Sequence, residues 1–126
     1  MSVYEIHAAR VQFVVAKKYA DPRLSVEKTA RLIGISPQHL CRVLRRERGL
    51  TFAEVLREAR LGEARRLLRD SACSMKEIAF RVGFRHPSQF TRAFTMDSGM
   101  SPSQYRVRAA LGDVAAVGDV HREQAM

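Results

Sequence analysis

The sequence predicts an all-α fold, and three observations carry that expectation. Apolar residues recur three and four apart along most of the chain. Runs rich in Val, Ile and Thr, the residues that favour strands, are scarce. Helix-start and helix-stop residues alternate at short, regular intervals. The 126 residues, 46% of them hydrophobic, suffice for one compact domain or two very small ones.

The elements follow from this punctuation. A first helix is expected over Val3 to Tyr19, with Ile6, Val11, Val14 and Val15 buried, stopping before Asp21-Pro22 because the residue before proline avoids the helical region. Ser25 caps a short second helix that ends at Gly34. Ser36-Pro37 places an N-cap before a proline whose missing N–H costs nothing at the first helical position, and Gly49 is the matching stop. Thr51 and Glu54 have capping-box spacing and open a long helix that runs through Phe52, Val55, Leu56, Ala59, Leu61, Ala64, Leu67 and Leu68 to about Arg69. Ser74 and Glu77 repeat that box ahead of a short helix to Gly83. His86-Pro87 opens a sixth helix ending near Gly99, and Ser101-Pro102 opens the last. Residues 109–126 have no periodic apolar face and read as a disordered tail.

The chain contains one unit twice. Gly34 and Gly83 are 49 residues apart, Gly49 and Gly99 are 50 apart, and the segments SVEKTARLIGI and SPQHLCRVL superpose on SMKEIAFRVGF and HPSQFTRAF. Each unit is a short helix, a glycine turn, a proline-initiated second helix and a glycine stop, the pattern of a helix-turn-helix. Helix pairs that merely pack together share this punctuation, so the outward face of the second helix decides. At roughly 100° per residue, Phe90, Ala93 and Phe94 form one buried arc, which leaves Ser88, Gln89 and Arg92 facing away. In the first unit Leu40, Val43 and Leu44 are the buried arc, and Gln38, Arg42, Arg45 and Arg46 face away.

Charge narrows the function. The net charge is +9, and because residues 109–126 hold one basic and three acidic residues, the first 108 carry 21 basic against 10 acidic, a net of +11. That balance points to a polyanionic partner, with nucleic acid ahead of a membrane surface. Arg bridges the two acceptors of guanine and Gln pairs with adenine, so an exposed stripe of Arg, Gln and Ser at the start of a helix suits base edges. A solvated face is the plain alternative, and its repetition in both units argues for DNA.

Other classes fit poorly. There is no phosphate-binding glycine loop, no HExxH, no CxxC pair and no nucleophile with a nearby base, so an enzyme is not expected, nor a cofactor or metal. Cys41 and Cys73 lack ligand spacing and read as reduced thiols; a small, partly buried residue is the favoured reading of Cys41 over a redox sensor against DNA. His7, Arg10 and Lys17 interrupt the N-terminal apolar stretch, so neither a signal peptide nor a membrane span is read, and a soluble cytoplasmic protein is expected.

The stretch IAFRVGFRHPSQFTRAFTMDSGMSPSQYR resembles the signature of the DNA-binding domain of AraC/XylS-type transcription regulators. RLGEARRLL resembles that family's linker helix, and LSVEKTARLIGISPQHLCRVLRRERGLTF its first unit; the resemblance covers roughly residues 7–108. It implies a DNA-binding domain over 1–108 of about seven helices. The first helix-turn-helix unit lies at about 7–50, the linker helix at about 52–69 and the second unit at about 70–108. It implies base-reading positions at Gln38, Cys41 and Arg42 in one recognition helix and at Ser88, Gln89 and Arg92 in the other. Phosphate or flanking contacts fall on Ser36, His39, Arg45, Arg46 and Thr51, and on Arg85 and Thr91. Gly62 departs from an ideal linker helix and permits a bend.

Many members carry a separate sensory or dimerisation domain, for which this length has no room, so the chain is read as a stand-alone regulator or a fragment of a longer product. The expected mode is a monomer on double-stranded DNA. A helix of the linker's length, roughly 27 Å, suits major-groove segments about one turn apart on an asymmetric promoter site. The second reading is a helical interaction module that binds RNA polymerase or a regulatory partner with weak DNA contact. Polymerase contact is compatible with the first reading as well.

Overall fold

The computed structural model describes residues 1–112, which form seven helices and, among those residues, no strand. They are α1 (Val3–Lys18), α2 (Val26–Ile33), α3 (Pro37–Arg48), α4 (Phe52–Asp70), α5 (Met75–Arg81), α6 (Pro87–Ser98) and α7 (Pro102–Ala110). Each expected helix is present. The last runs past the boundary expected at 108, with a turn at Leu111 and Gly112; the remainder of the expected tail, 113–126, lies outside the described residues. None of the described helices is long and apolar enough to cross a membrane.

The helices start where side chains satisfy their first N–H groups. The hydroxyls of Ser2, Ser25, Ser36, Ser74 and Ser101 each accept a backbone N–H three residues on. Thr51 and Glu54 make both bonds of a capping box, at 3.1 Å each, and Ser101 and Gln104 make another. At Ser74 the box is only half made, because the Glu77 carboxylate accepts the Ser74 hydroxyl instead of its N–H. Stops at Gly34, Gly49 and Gly99 use positive φ angles of 79°, 67° and 79°, a region where a Cβ is strained.

Backbone contacts divide the chain into two compact units, Met1–Arg60 and the part from Leu61 onward, with α4 contributing to both. In the first unit α1, α2 and α3 pack on one another around Val11, Val15, Leu40, Leu44, Val55 and Leu56. In the second, α5, α6 and α7 enclose Ile78, Val82, Phe90, Phe94 and Tyr105 with the end of α4. Phe84, Phe90, Phe94 and Tyr105 form a chain of aromatic contacts with centroids 5.2–5.8 Å apart.

Three burial expectations are corrected. Ile6 is exposed and Val14 only half-buried, because α2 and α3 cover the side of α1 that carries Val11 and Val15. Ala93, expected in the buried arc of α6, is also only half-buried, because it sits at the edge of the arc that Phe90 and Phe94 fill.

Two arginines close the ends of helices in ways that the punctuation does not show. Arg60 donates to the carbonyls of Tyr19 and Asp21, at 2.8 and 2.9 Å, just past the end of α1. Burial lowers its pKa from the ordinary guanidinium value, against which the Asp21 charge acts, and it remains a cation at neutral pH. Arg106 does the same in the second unit, donating to the carbonyls of Leu67, Leu68 and Ser71 at the end of α4. Carbonyls left over at helix ends are thereby paired.

Candidate nucleic-acid interface

The helix α3 turns Leu40, Val43 and Leu44 into the first core, so its opposite side is open. Gln38, Cys41, Arg42, Arg45 and Arg46 are all exposed there. The favoured reading of Cys41 as partly buried is therefore corrected: one position past Leu40, it has turned about 100° away from the core seam. Ser36 stays exposed at the helix start, its hydroxyl accepting the His39 N–H at 3.0 Å. Thr51, also exposed, already exchanges bonds with Glu54.

The side chain of His39 is placed differently from those neighbours. It is half-buried, with its Nε2 3.0 Å from Nδ1 of His7 on α1 and its ring against Tyr4 at 5.5 Å. One ring must donate and the other accept, so at least one of the two imidazoles is neutral when this bond is made. Arg46 lies over the Tyr4 ring, 4.5 Å from its centroid, and is thereby held beside α1. Arg48 donates to Gln12 and pairs with Glu58 at 3.2 Å, which occupies it within the unit.

The helix α6 repeats the arrangement. Phe90 and Phe94 are fully buried, and Ser88, Gln89, Thr91 and Arg92 are exposed, with Arg85 exposed just before the helix. The Thr91 hydroxyl donates to the Pro87 carbonyl at 3.1 Å, which leaves its oxygen able to accept. His86 stands at the N-cap position without a side-chain cap bond; its carbonyl accepts the N–H groups of Gln89 and Phe90. Asp97, at the far end, is paired with Arg65 at 3.1 Å.

Arg42 and Arg92 occupy equivalent positions in the two units, each midway between two buried residues (Leu40 and Leu44, Phe90 and Phe94) and exposed on the outward side of its helix. Among the described residues, neither forms an ion pair with a carboxylate, nor do Arg45 and Arg85. Their charge is thus available to an external anion. The proline-initiated starts of α3 and α6 add the positive end of each helix dipole near these side chains' first turns. Among the described residues no group of three or more His, Cys, Asp or Glu side chains is arranged to hold a metal ion.

Comparison with known proteins places the chain in a family. Residues 29–108 match a helix-turn-helix domain family. Over 80 residues, 64% of this chain, the sequence is 45% identical to the HTH-type transcriptional regulator GlxA of Rhizobium meliloti (strain 1021), of which the match covers 25%. The chain spans a quarter to about a third of the length of the curated relatives it matches. Among solved structures it is similar to the C-terminal domain of AraT, a response regulator from Geobacillus stearothermophilus. The TM-score is 0.79 at 31% identity, covering 83% of this chain and 87% of that one. It is also similar to the DNA-binding domain of AdpA, a global transcriptional factor solved in complex with a target DNA. There the TM-score is 0.74 at 30% identity, covering 82% of this chain and 94% of that one.

Proposed function

The chain belongs to the AraC-type helix-turn-helix family, and from that premise we propose that it is a sequence-specific reader of double-stranded DNA that regulates transcription. In this reading α3 and α6 each enter a major-groove segment, the two segments lying about one helical turn apart. Gln38, Cys41 and Arg42 read bases in one segment, and Ser88, Gln89 and Arg92 in the other. Ser36, His39, Arg45, Arg46, Thr51, Arg85 and Thr91 meet phosphates or flank them. Because the two sets of reading residues differ, a monomer recognises an asymmetric site. The protein works in the cytoplasm, and contact with RNA polymerase follows once it is on its promoter.

The observation that carries the proposal is the repeated outward stripe. Each helix buries its apolar arc and presents an exposed arginine, at 42 and at 92, with no carboxylate partner among the described residues. A merely solvated face has no reason to repeat that arrangement in two units whose intervening side chains differ.

Selection of binding sites from random duplex DNA, repeated with Arg42→Ala and Arg92→Ala, tests it. Two unlike submotifs about one turn apart are expected, each relaxed by one substitution at a cost of about 1–3 kcal/mol. Enrichment of a single submotif would remove the two-helix mode. Enrichment of nothing beyond bulk DNA would remove sequence reading altogether.

A further inference from the structure

The first unit has a second surface that DNA reading does not use. Along α1, Ile6, Phe13 and the half-buried Val14 face the same side, and Leu32 and Ile33 of α2 meet them across an open groove of about 590 Å³. Phe13 is 64% exposed and Leu32 53%, far from what large apolar side chains show when a core has claimed them. Ile6, Phe13 and Leu32 lie together, so this is a contiguous patch and not scattered surface residues, which marks an interaction site.

We propose that this groove docks an amphipathic, acidic helix of a partner protein. The rim supplies the charge argument: Arg10, Lys17 and Lys18 line the groove, and no acidic residue does among the described ones. From Ile6 to Lys17 the groove follows α1 for roughly 16 Å, the length of about three helical turns. A helix with apolar side chains at i, i+3, i+4 and i+7 fills such a groove, and Asp or Glu beside that stripe meets the basic rim.

The other occupants fit less well. DNA has the right charge but offers its phosphates no gain from Phe13, Leu32 and Ile6. A second copy of this chain would bring the same three cations against their own kind. An anionic membrane favours a protruding apolar face, and here the apolar side chains line a concavity between two helices. The surface is also separate from the proposed base-reading stripe, since Gln38, Cys41 and Arg42 do not line it.

The test uses the full chain as bait for a displayed library of helical peptides, with outward positions randomised over apolar, acidic and basic residues. The expected winners carry an apolar stripe flanked by Asp or Glu. Synthesised and labelled, they should bind the wild-type chain saturably, and Phe13→Ser or Leu32→Ser should weaken binding about tenfold, as loss of one anchoring side chain does. Both residues are exposed, so unchanged thermal unfolding of the variants is expected and keeps the comparison clean. Arg10→Glu with Lys17→Glu should invert the preference towards basic peptides. Failure to enrich any peptide over the Phe13→Ser bait overturns the proposal, as does enrichment of basic peptides by the wild type. Binding to phosphatidylglycerol vesicles that the acidic peptides do not displace also overturns it, in favour of a membrane surface.

Discussion

Thr29 and Ile78 occupy the same position in the two units, and both are fully buried. Ile78 is apolar, whereas the Thr29 hydroxyl has no hydrogen-bond partner among the described residues. A buried hydroxyl left unpaired costs about 1–3 kcal/mol, and Val keeps the shape while removing the polar atom. Thr29→Val should therefore raise the stability of the protein by roughly 1 kcal/mol, read from urea midpoints at unchanged slope. A loss of stability would mean that the hydroxyl is bonded after all. Glu54 works in the opposite direction. Its carboxyl is held below the ordinary value of 4.5, first by the Thr51 N–H and then by the Thr51 hydroxyl. A carboxylate whose folded pKa is depressed adds stability above its unfolded pKa and loses it as pH falls through the folded one. Thermal unfolding of the wild type and of Glu54→Gln should thus differ at neutral pH and converge as the solution is acidified below about 4.5. A gap that stays constant would show that the cap acts through its geometry alone.

At the scale of elements, the long helix α4 passes through Gly62 without a break. Glycine in a helix interior pays for its freedom with about 0.5–1 kcal/mol relative to Ala, and a Cβ added here would meet only an Arg65 nitrogen at 3.7 Å, an ordinary contact. Gly62→Ala should accordingly stabilise the protein by about that amount in denaturant unfolding; destabilisation would show that the bend expected from the sequence is real and needed. What the sequence made legible at this scale is local chemistry. Serine and threonine caps, prolines at the first helical turn and glycine stops all act within four residues, so they locate the helices, and the apolar periodicity within each gives the outward sides of α3 and α6. Long-range pairing was not legible. Arg60 reaches carbonyls 41 and 39 residues away, Arg106 reaches Leu67 and Leu68 at 39 and 38, and His7 meets His39 across 32, so no spacing rule anticipates them. The same limit explains Ile6. Apolar residues occur on more than one side of α1, and only the packing of α2 and α3 decides that Val11 and Val15 are covered while Ile6 and Phe13 are not.

For the whole molecule, the proposed mode of action joins two readers in one chain, and their energies should reveal it. Arg42 and Arg92 belong to different compact units, so their contributions to binding a full site should be independent. On that site each change to Ala should cost about 1–3 kcal/mol, and the double variant should lose the sum to within about 0.5 kcal/mol. On a duplex with one submotif scrambled, only the arginine that reads the intact submotif should matter. An identical response of both variants to both half-scrambled duplexes would mean that the two arginines supply charge and not sequence. Salt separates those roles further. Residues 1–108 carry a net +11, and neutralising about six to eight phosphates predicts a log-log slope of roughly −5 to −7 for binding against salt. If Arg42 and Arg92 read bases, their Ala variants keep nearly that slope while losing affinity. If they contact phosphates, each variant lowers the slope by about 1 and weakens every sequence alike. A slope near −1 for the unaltered protein would remove the basic surface from DNA binding altogether.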